Sequence, residues 1–257
     1  MKDHRQPEEK EYVGGLEKGL RIIESFGLEG RSMTLSEVAE LTGLHRATAR
    51  RALLTLQQLG YVEQHGRRFQ LTARTLRLGH AYIASNPLPR VAQPVLEAIS
   101  ERTRESASLA VLDGLDVVFV ARAVSRRSLR EGLFMGSRLP AHCSATGRVL
   151  LAGLSPEERA QRLLRMPRKA LTRHTQTGLP ELHALLDRVA RQGYATTDEE
   201  LEEGLRSIAV PVVDANQQLV AAISLVAFTR RDASLEDAVE RLLPELHHGR
   251  RMLTMML

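Results

Sequence analysis

Tryptophan is absent from the 257-residue chain and aromatic residues make up only 4% of it, so its cores must be built from aliphatic side chains. A single cysteine, Cys143, excludes an internal disulfide and a cysteine-rich zinc cluster. No stretch approaches the roughly 18 consecutive apolar residues of a membrane helix. The first residues, Met1 to Glu11, are charged and lack the apolar region of a secretory signal. These absences point to a soluble cytoplasmic protein without a membrane partner. No glycine-rich phosphate loop occurs, and Gly14-Gly15 is an isolated pair. The histidines show no ligand spacing, and His247 and His248 would diverge on a helix, so neither a metal nor a cofactor is expected.

Positive charge is present in excess, net +5, and it is uneven. Residues 31–80 hold eight arginines against three glutamates, whereas residues 1–30 are net acidic. Arg46, Arg50 and Arg51 fall within six positions of "LTGLHRATARRALLTLQQLGYV", residues 41–62. Positive charge concentrated on one short element is the usual footprint of phosphate binding.

The local pattern around those arginines is helical. Leu16, Leu20, Ile23 and Phe26 recur at helical spacing over 14–27, with Gly27 and Gly30 as the stop. Thr34 and Glu37 form a capping-box pattern that starts a short second helix, and Gly43 ends it. A third helix begins near His45. At about 100° per residue, Ala49, Ala52, Leu53, Leu56 and Leu59 share one side of it. Ala47, Arg50, Arg51 and Gln58 share the other, with Arg46 and Thr48 at the edges; Leu54 also points outward, against the pattern. Tyr61-Val62 and Phe69 to Leu71 then read as strands around a His65-Gly66-Arg67 turn.

Two helices joined by a glycine turn, followed by a basic hairpin, predict a winged helix-turn-helix over 12–74. The third helix would enter the major groove and the hairpin would follow the phosphates. The candidate contacts to double-stranded operator DNA are Thr34, Ser36, His45, Arg46, Ala47, Thr48, Arg50, Arg51, His65, Arg67 and Arg68. Reading two half-sites would require a homo-oligomer, a dimer at least.

Residues 75–89 are expected to form a linker helix, stopped by Asn86-Pro87-Leu88-Pro89. Helix resumes at Val91 to Thr103. The period then changes: "ASLAVL" and "DVVFVARA" read as strands around Asp113-Gly114, with a third strand near Leu129 to Phe134. "GYATT", "LRSIAVPVVD" and "QLVAAISLVAF" add three more strands. Helices are expected at 145–154, 156–165, 179–192 and 235–254. The fold class is therefore α+β, with an antiparallel sheet flanked by helices in a domain spanning 90–257.

Within that domain, "GSRLPAHCSATGR", residues 136–148, leads into a helix that Ser144 can cap. Open amides at a helix start favour an anion, and Arg138 and His142 can add charge for a carboxylate. A small organic acid effector, aromatic or dicarboxylic, is the ligand class this suggests. An enzyme acting on such an acid, with an accessory DNA-binding domain, is the alternative. It needs a nucleophile or base with a partner. Cys143 and His142 are adjacent in sequence and would not aim at one atom. The five carboxylates of "DEELEEG", 198–204, read as a solvated loop or helix end. A third reading is a nucleoid protein without sequence preference, whose affinity would be equal across DNA sequences.

"TLSEVAELTGLHRATARRALLTLQQLGYVEQHGRRFQLTARTLRLG" resembles the DNA-binding domain of the IclR family of bacterial transcriptional regulators. "LPAHCSATGRVLLAGLSPEE" and "GYATTDEELEEGLRSIAVPVVDANQQLVAAISLVAF" resemble that family's effector domain. "HRATARRALLTL" and "LDGLDVVFVARA" are similar to the branch that regulates protocatechuate and 4-hydroxybenzoate catabolism. The resemblance implies a GAF- or profilin-like effector domain and a dimer of dimers; no enzymatic activity is expected, because no nucleophile or base with a partner is found. It places Ala141, His142, Ser144, Ala145, Thr197, Asp198, Arg206, Ser207 and Ser224 at the effector pocket. Val226 stands where some relatives have a polar residue.

Overall fold

The computed structural model describes residues 12–29, 32–125, 133–232 and 234–257, which divide between Ser85 and Asn86 into two units. In the first, the apolar period of the N-terminal segment gives α1, Gly14–Glu29, running through Gly27 instead of stopping there. Ile22 and Phe26 are its buried apolar residues, while Leu16 and Leu20 stay exposed. A two-residue strand, β1 (Met33–Thr34), precedes α2 (Leu35–Thr42). The Thr34 and Glu37 capping box closes as the sequence predicts, satisfying amides of the first turn. Gly43 then takes a left-handed conformation, φ 64°, in which a side chain would be strained. That residue turns the chain into α3, Arg46–Gln58.

Ala49, Leu53 and Leu56 bury the inner face of α3 against Ile22, Val38 and Phe69. Ala52 is only half-buried and Leu59 is exposed, because α3 ends at Gln58 and Leu59 caps it from outside. Strands β2 (Val62–His65) and β3 (Arg68–Leu71) pair antiparallel, with His65 opposite Arg68. Their connection is thus the two-residue turn Gly66-Arg67, with Gly66 at φ 61°. β3 also pairs with β1, so the wing is a three-stranded sheet, a feature the sequence reading lacked. After a 3₁₀ turn at Ala73–Thr75 comes α4, Leu76–Ser85.

The second unit opens with α5, Pro87–Thr103. Asn86 caps it by accepting from the Leu88 amide, and Pro87 sits in the first turn, where a missing N–H costs nothing. The Asn-Pro-Leu-Pro stretch therefore starts this helix; it is not the end of a linker helix reaching residue 89. Six antiparallel strands follow in the order β6-β5-β4-β9-β8-β7. They are β4 (Ser106–Asp113), β5 (Asp116–Ala123), β6 (Arg138–Pro140), β7 (Ala195–Asp198), β8 (Leu205–Val213) and β9 (Leu219–Phe228). The third strand is β6, not the expected 129–134: residues 129–132 lie outside the described residues, and Leu133 and Phe134 are in no strand.

Helices cover both faces of this sheet. α5 and α9 (Leu235–Met256) pack on one, with Leu96, Ile99, Ile223 and Leu246 in the seam. α6 (Ala145–Ala152), α7 (Pro156–Arg165) and α8 (Leu179–Gln192) contribute to the core on the other, where Leu151, Leu163, Leu182 and Leu186 meet Ala209 and Ala222. The domain is α+β, as its alternation of periods indicates.

Candidate functional site

In the first unit the helix that presents the arginines is held by its leucines, and this frees its other face. Arg46, Ala47, Arg50 and Arg51 are exposed, and Thr48 is half-buried. Among the described residues, none of the three guanidiniums makes an ion pair or hydrogen bond. His45 precedes α3 without a side-chain capping bond, so the first amides of the helix remain open to an anion. Arg51 differs from Arg46 and Arg50 in bordering an apolar groove with Leu20, Ala52 and Leu59. Leu54 is 39% exposed on the outer side, and nothing in the structure explains it.

On the wing, His65 and Arg67 are exposed, with His65 3.5 Å from Glu63. Arg68 does not share their freedom. Its Nε and Nη2 donate to the Ser32 carbonyl at 3.1 and 2.5 Å, and it lies 3.5 Å from Glu37. It clasps the wing to the residues just before α2, and so is less free than Arg67 to reach DNA. Thr34 is likewise engaged: its hydroxyl accepts from the Glu37 amide at 3.3 Å. Ser36, one turn along, is exposed.

In the second unit a cavity of about 260 Å³ opens between the sheet and the start of α6. That is below the ~300–1,000 Å³ of drug-sized pockets, a scale that suits a single ring or a short acid. Phe119, Leu139, Leu171, Leu205 and Val226 make its apolar wall. Ser144, Ala145 and Thr146 enter from the first turn of α6, and Thr197, Ser207 and Ser224 from adjoining strands. Ser207 stands directly across from Thr197, and Ser224 across from Ser108. The side-chain hydroxyls of Thr146, Thr197, Ser207 and Ser224 have no hydrogen-bond partner among the described residues. The Ser108 hydroxyl is also buried without one.

One cation and one carboxylate, Arg206 and Glu202, border this cavity among the described residues. Arg206 sits between Leu205 and Ser207 on β8, and strand alternation turns its side chain, 11% exposed, to the face opposite Ser207. Its Nε donates to Asp198 at 2.8 Å and its Nη1 to the Asp232 carbonyl at 3.0 Å. Asp232 is itself held by Arg241 of α9 at 2.7 and 2.8 Å, bonds that keep its carboxyl below the usual range. Arg206 is thus fixed on the α9 side of the sheet, away from the cavity hydroxyls. Asp198 shares that side and does not itself line the cavity.

Besides Asp198, three expected pocket residues lie elsewhere. Arg138 is drawn to Asp113 and Asp116 at the β4–β5 hairpin, where two carboxylates hold its guanidinium. His142 is buried, with Nε2 3.3 Å from the Lys169 carbonyl, and burial holds its pKa below the ordinary value. Ala141 is buried under α6, where a Cβ on Gly147 would sit 2.3 Å from its carbonyl oxygen. Cys143 is buried beside them and its thiol is pushed up to about 12, which leaves almost no thiolate at neutral pH. Among the described residues no group of three or more His, Cys, Asp or Glu is placed to hold a metal.

Two family models match this architecture. The IclR helix-turn-helix domain matches residues 15–66, and the C-terminal domain of the bacterial transcriptional regulator IclR matches residues 80–251. The chain belongs to the IclR family. It is a transcriptional regulator of that family, from the group that includes aromatic-catabolism regulators. The Pca regulon regulatory protein of Pseudomonas putida is 38% identical over 237 residues, 92% of this chain and 81% of the relative. The p-hydroxybenzoate hydroxylase transcriptional activator of Acinetobacter baylyi is 37% identical, over 93% of this chain and 90% of that protein. A crystal structure of an IclR homolog complexed with 4-hydroxybenzoate, from Microbacterium hydrocarbonoxydans, superposes with a TM-score of 0.80. It is 27% identical, covering 94% of this chain and 98% of that one.

Sequence reasoning missed several cavity residues of this IclR-family chain. Thr146 carried a signal, since it lies in the same first helical turn as Ser144. Phe119 and Leu171 carried none, because only the tertiary fold brings them to the cavity. Glu200 is the larger miss. The run read as solvated contains a carboxylate that is buried and bonded to Arg148 through both oxygens. An arginine inside the apolar helix sequence "ATGRVLLA" was the available hint.

Proposed function

We propose that this regulator reads operator DNA through the exposed face of α3 and the wing, and that its second unit binds a hydroxylated aromatic acid. Arg46, Ala47, Thr48 and Arg50 are assigned to base edges in the major groove, and Ser36, His45, Arg51, His65 and Arg67 to phosphates. The observation that carries the effector assignment is a cavity the size of one ring, lined by four hydroxyls without a partner among the described residues and meeting the start of α6. A carboxylate can dock on the open amides at the start of α6, and the hydroxyls of Thr197, Ser207 and Ser224 can bond the polar ring substituents. Ser144 and Ala145 form the floor at the helix start. The apolar wall, Val226 included, suits an aromatic ring better than a short dicarboxylate. The 4-hydroxybenzoate carried by the solved homolog supports this class of ligand.

The cavity is read as a binding site, in keeping with relatives that are transcriptional regulators. Leu16 and Leu20 of α1 and Leu76 and Leu78 of α4 are exposed leucines that a soluble domain would cover. They support assembly as a dimer or dimer of dimers, working in the cytoplasm. Acid binding would shift DNA affinity by the usual ~1–3 kcal/mol of coupling between sites.

Calorimetric titration of the full chain with 4-hydroxybenzoate and with succinate tests the reading. Saturable binding of the aromatic acid, weakened at least about tenfold in Ser207→Ala/Ser224→Ala by loss of two hydrogen bonds, is expected. Preference for succinate, or full affinity in the variant, contradicts it.

A further inference from the structure

The cavity wall is assembled from stretches far apart in the chain, and one interior side chain ties them together. Arg148, on the second turn of α6, is only 1% exposed. Its Nε donates to the His142 carbonyl at 2.9 Å, two residues before Ser144. Its Nη1 donates to the Thr196 carbonyl at 2.9 Å, next to Thr197. Both Nη atoms reach Glu200, at 2.6 and 2.5 Å, next to Leu201 on the cavity rim. Glu200 extends the network. Its second oxygen accepts from the Gln176 amide at 2.9 Å, and its carbonyl accepts from Thr175 at 2.7 Å. The neighbouring Glu199 carbonyl accepts from Thr172, adjacent to Leu171, also at 2.7 Å.

Stability alone does not account for such a pair. Taking two charges out of water costs about what their attraction returns, and apolar residues of similar volume often serve as well or better. A planar guanidinium does offer direction. Its fork fixes several acceptors in one geometry, which neither a lysine nor a leucine can do. Here the acceptors belong to the segments that carry Ser144, Thr197 and Leu201.

We propose that Arg148, locked by Glu200, is a positioning residue that sets the spacing of the cavity walls and so determines which acids the cavity accepts. The inference rests on reading the cavity as the acid site. Neither residue lines the cavity; both act through the backbone that does.

Two variants of the full chain test it, Glu200→Gln and the apolar double variant Arg148→Met/Glu200→Leu. Each is measured for melting temperature, for DNA affinity without acid, and for affinity toward 4-hydroxybenzoate and 3-hydroxybenzoate. Both variants should fold and keep DNA affinity. The 4-hydroxybenzoate dissociation constant should rise ~10–100-fold, the range seen when groups that orient a ligand shell are removed. The ratio between the two acids should flatten, a change that a purely structural role would not produce. Unchanged affinity and ratio in a folded variant overturn the proposal. So does failure of both variants to fold, which would make the pair a structural strut. If the unsubstituted chain binds neither acid, the cavity reading fails and this inference falls with it.

Discussion

Two arginines that look alike in the sequence do different work because of what stands beside them. Arg50 has no partner among the described residues, whereas Arg68 is claimed by Ser32 and Glu37. Arg50→Ala should therefore cost about 1–3 kcal/mol of specific binding and relax the preference at one base pair, as loss of a bidentate base contact does. Arg67→Ala should weaken binding evenly across sequences and lower the salt slope by about one. Titrating each variant against a specific and a scrambled duplex at several salt concentrations separates the two roles. His142 carries a different prediction. Burial, helped by the Arg148 and Arg168 guanidiniums and opposed by the Lys169 carbonyl and Glu200, lowers its pKa in the folded state. The unfolded chain then binds the extra proton first, so folding weakens as pH drops below ~6.5 and on to the folded value. A melting series from about pH 7 to about pH 5.5 should fall less steeply in His142→Asn than in the parent; equal slopes would show that this imidazole does not titrate as described.

Elements formed where local chemistry sufficed, and α2 is the clearest case. Its capping box joins Thr34 and Glu37 reciprocally, so Thr34→Ala should destabilise that helix by about 1 kcal/mol. Hydrogen exchange should quicken at the α2 amides and leave those of β8 and β9 unchanged. Faster exchange in both units would mean the cap supports more than its own helix. The same locality explains what was legible in the sequence. Gly43 and the Asp113-Gly114 turn announce themselves within a few residues, and α6 to α9 follow their apolar periods. β1 does not, because two residues acquire strand character only by pairing with Phe69 and Arg68 across the wing. Arg138 looked like a pocket cation until the hairpin placed Asp113 and Asp116 against it. Glu200 looked solvated because its partner Arg148 is 52 positions away. Long-range pairings of charge moved Arg138 and hid Glu200, and a linear pattern does not encode them.

At the scale of the whole molecule, the chain joins a DNA-reading unit to a sheet domain with a ring-sized cavity. The cavity matters to transcription only if the first unit selects a sequence. The most direct measurement is selection of binding sites by the full-length chain from a pool of random duplexes, run beside an Arg46→Ala/Arg50→Ala variant. The account predicts an enriched two-fold symmetric motif, with half-sites about 10–10.5 base pairs apart or a multiple of that spacing, and its loss in the variant. Recovery of no motif, or of the same motif by the variant, would contradict it.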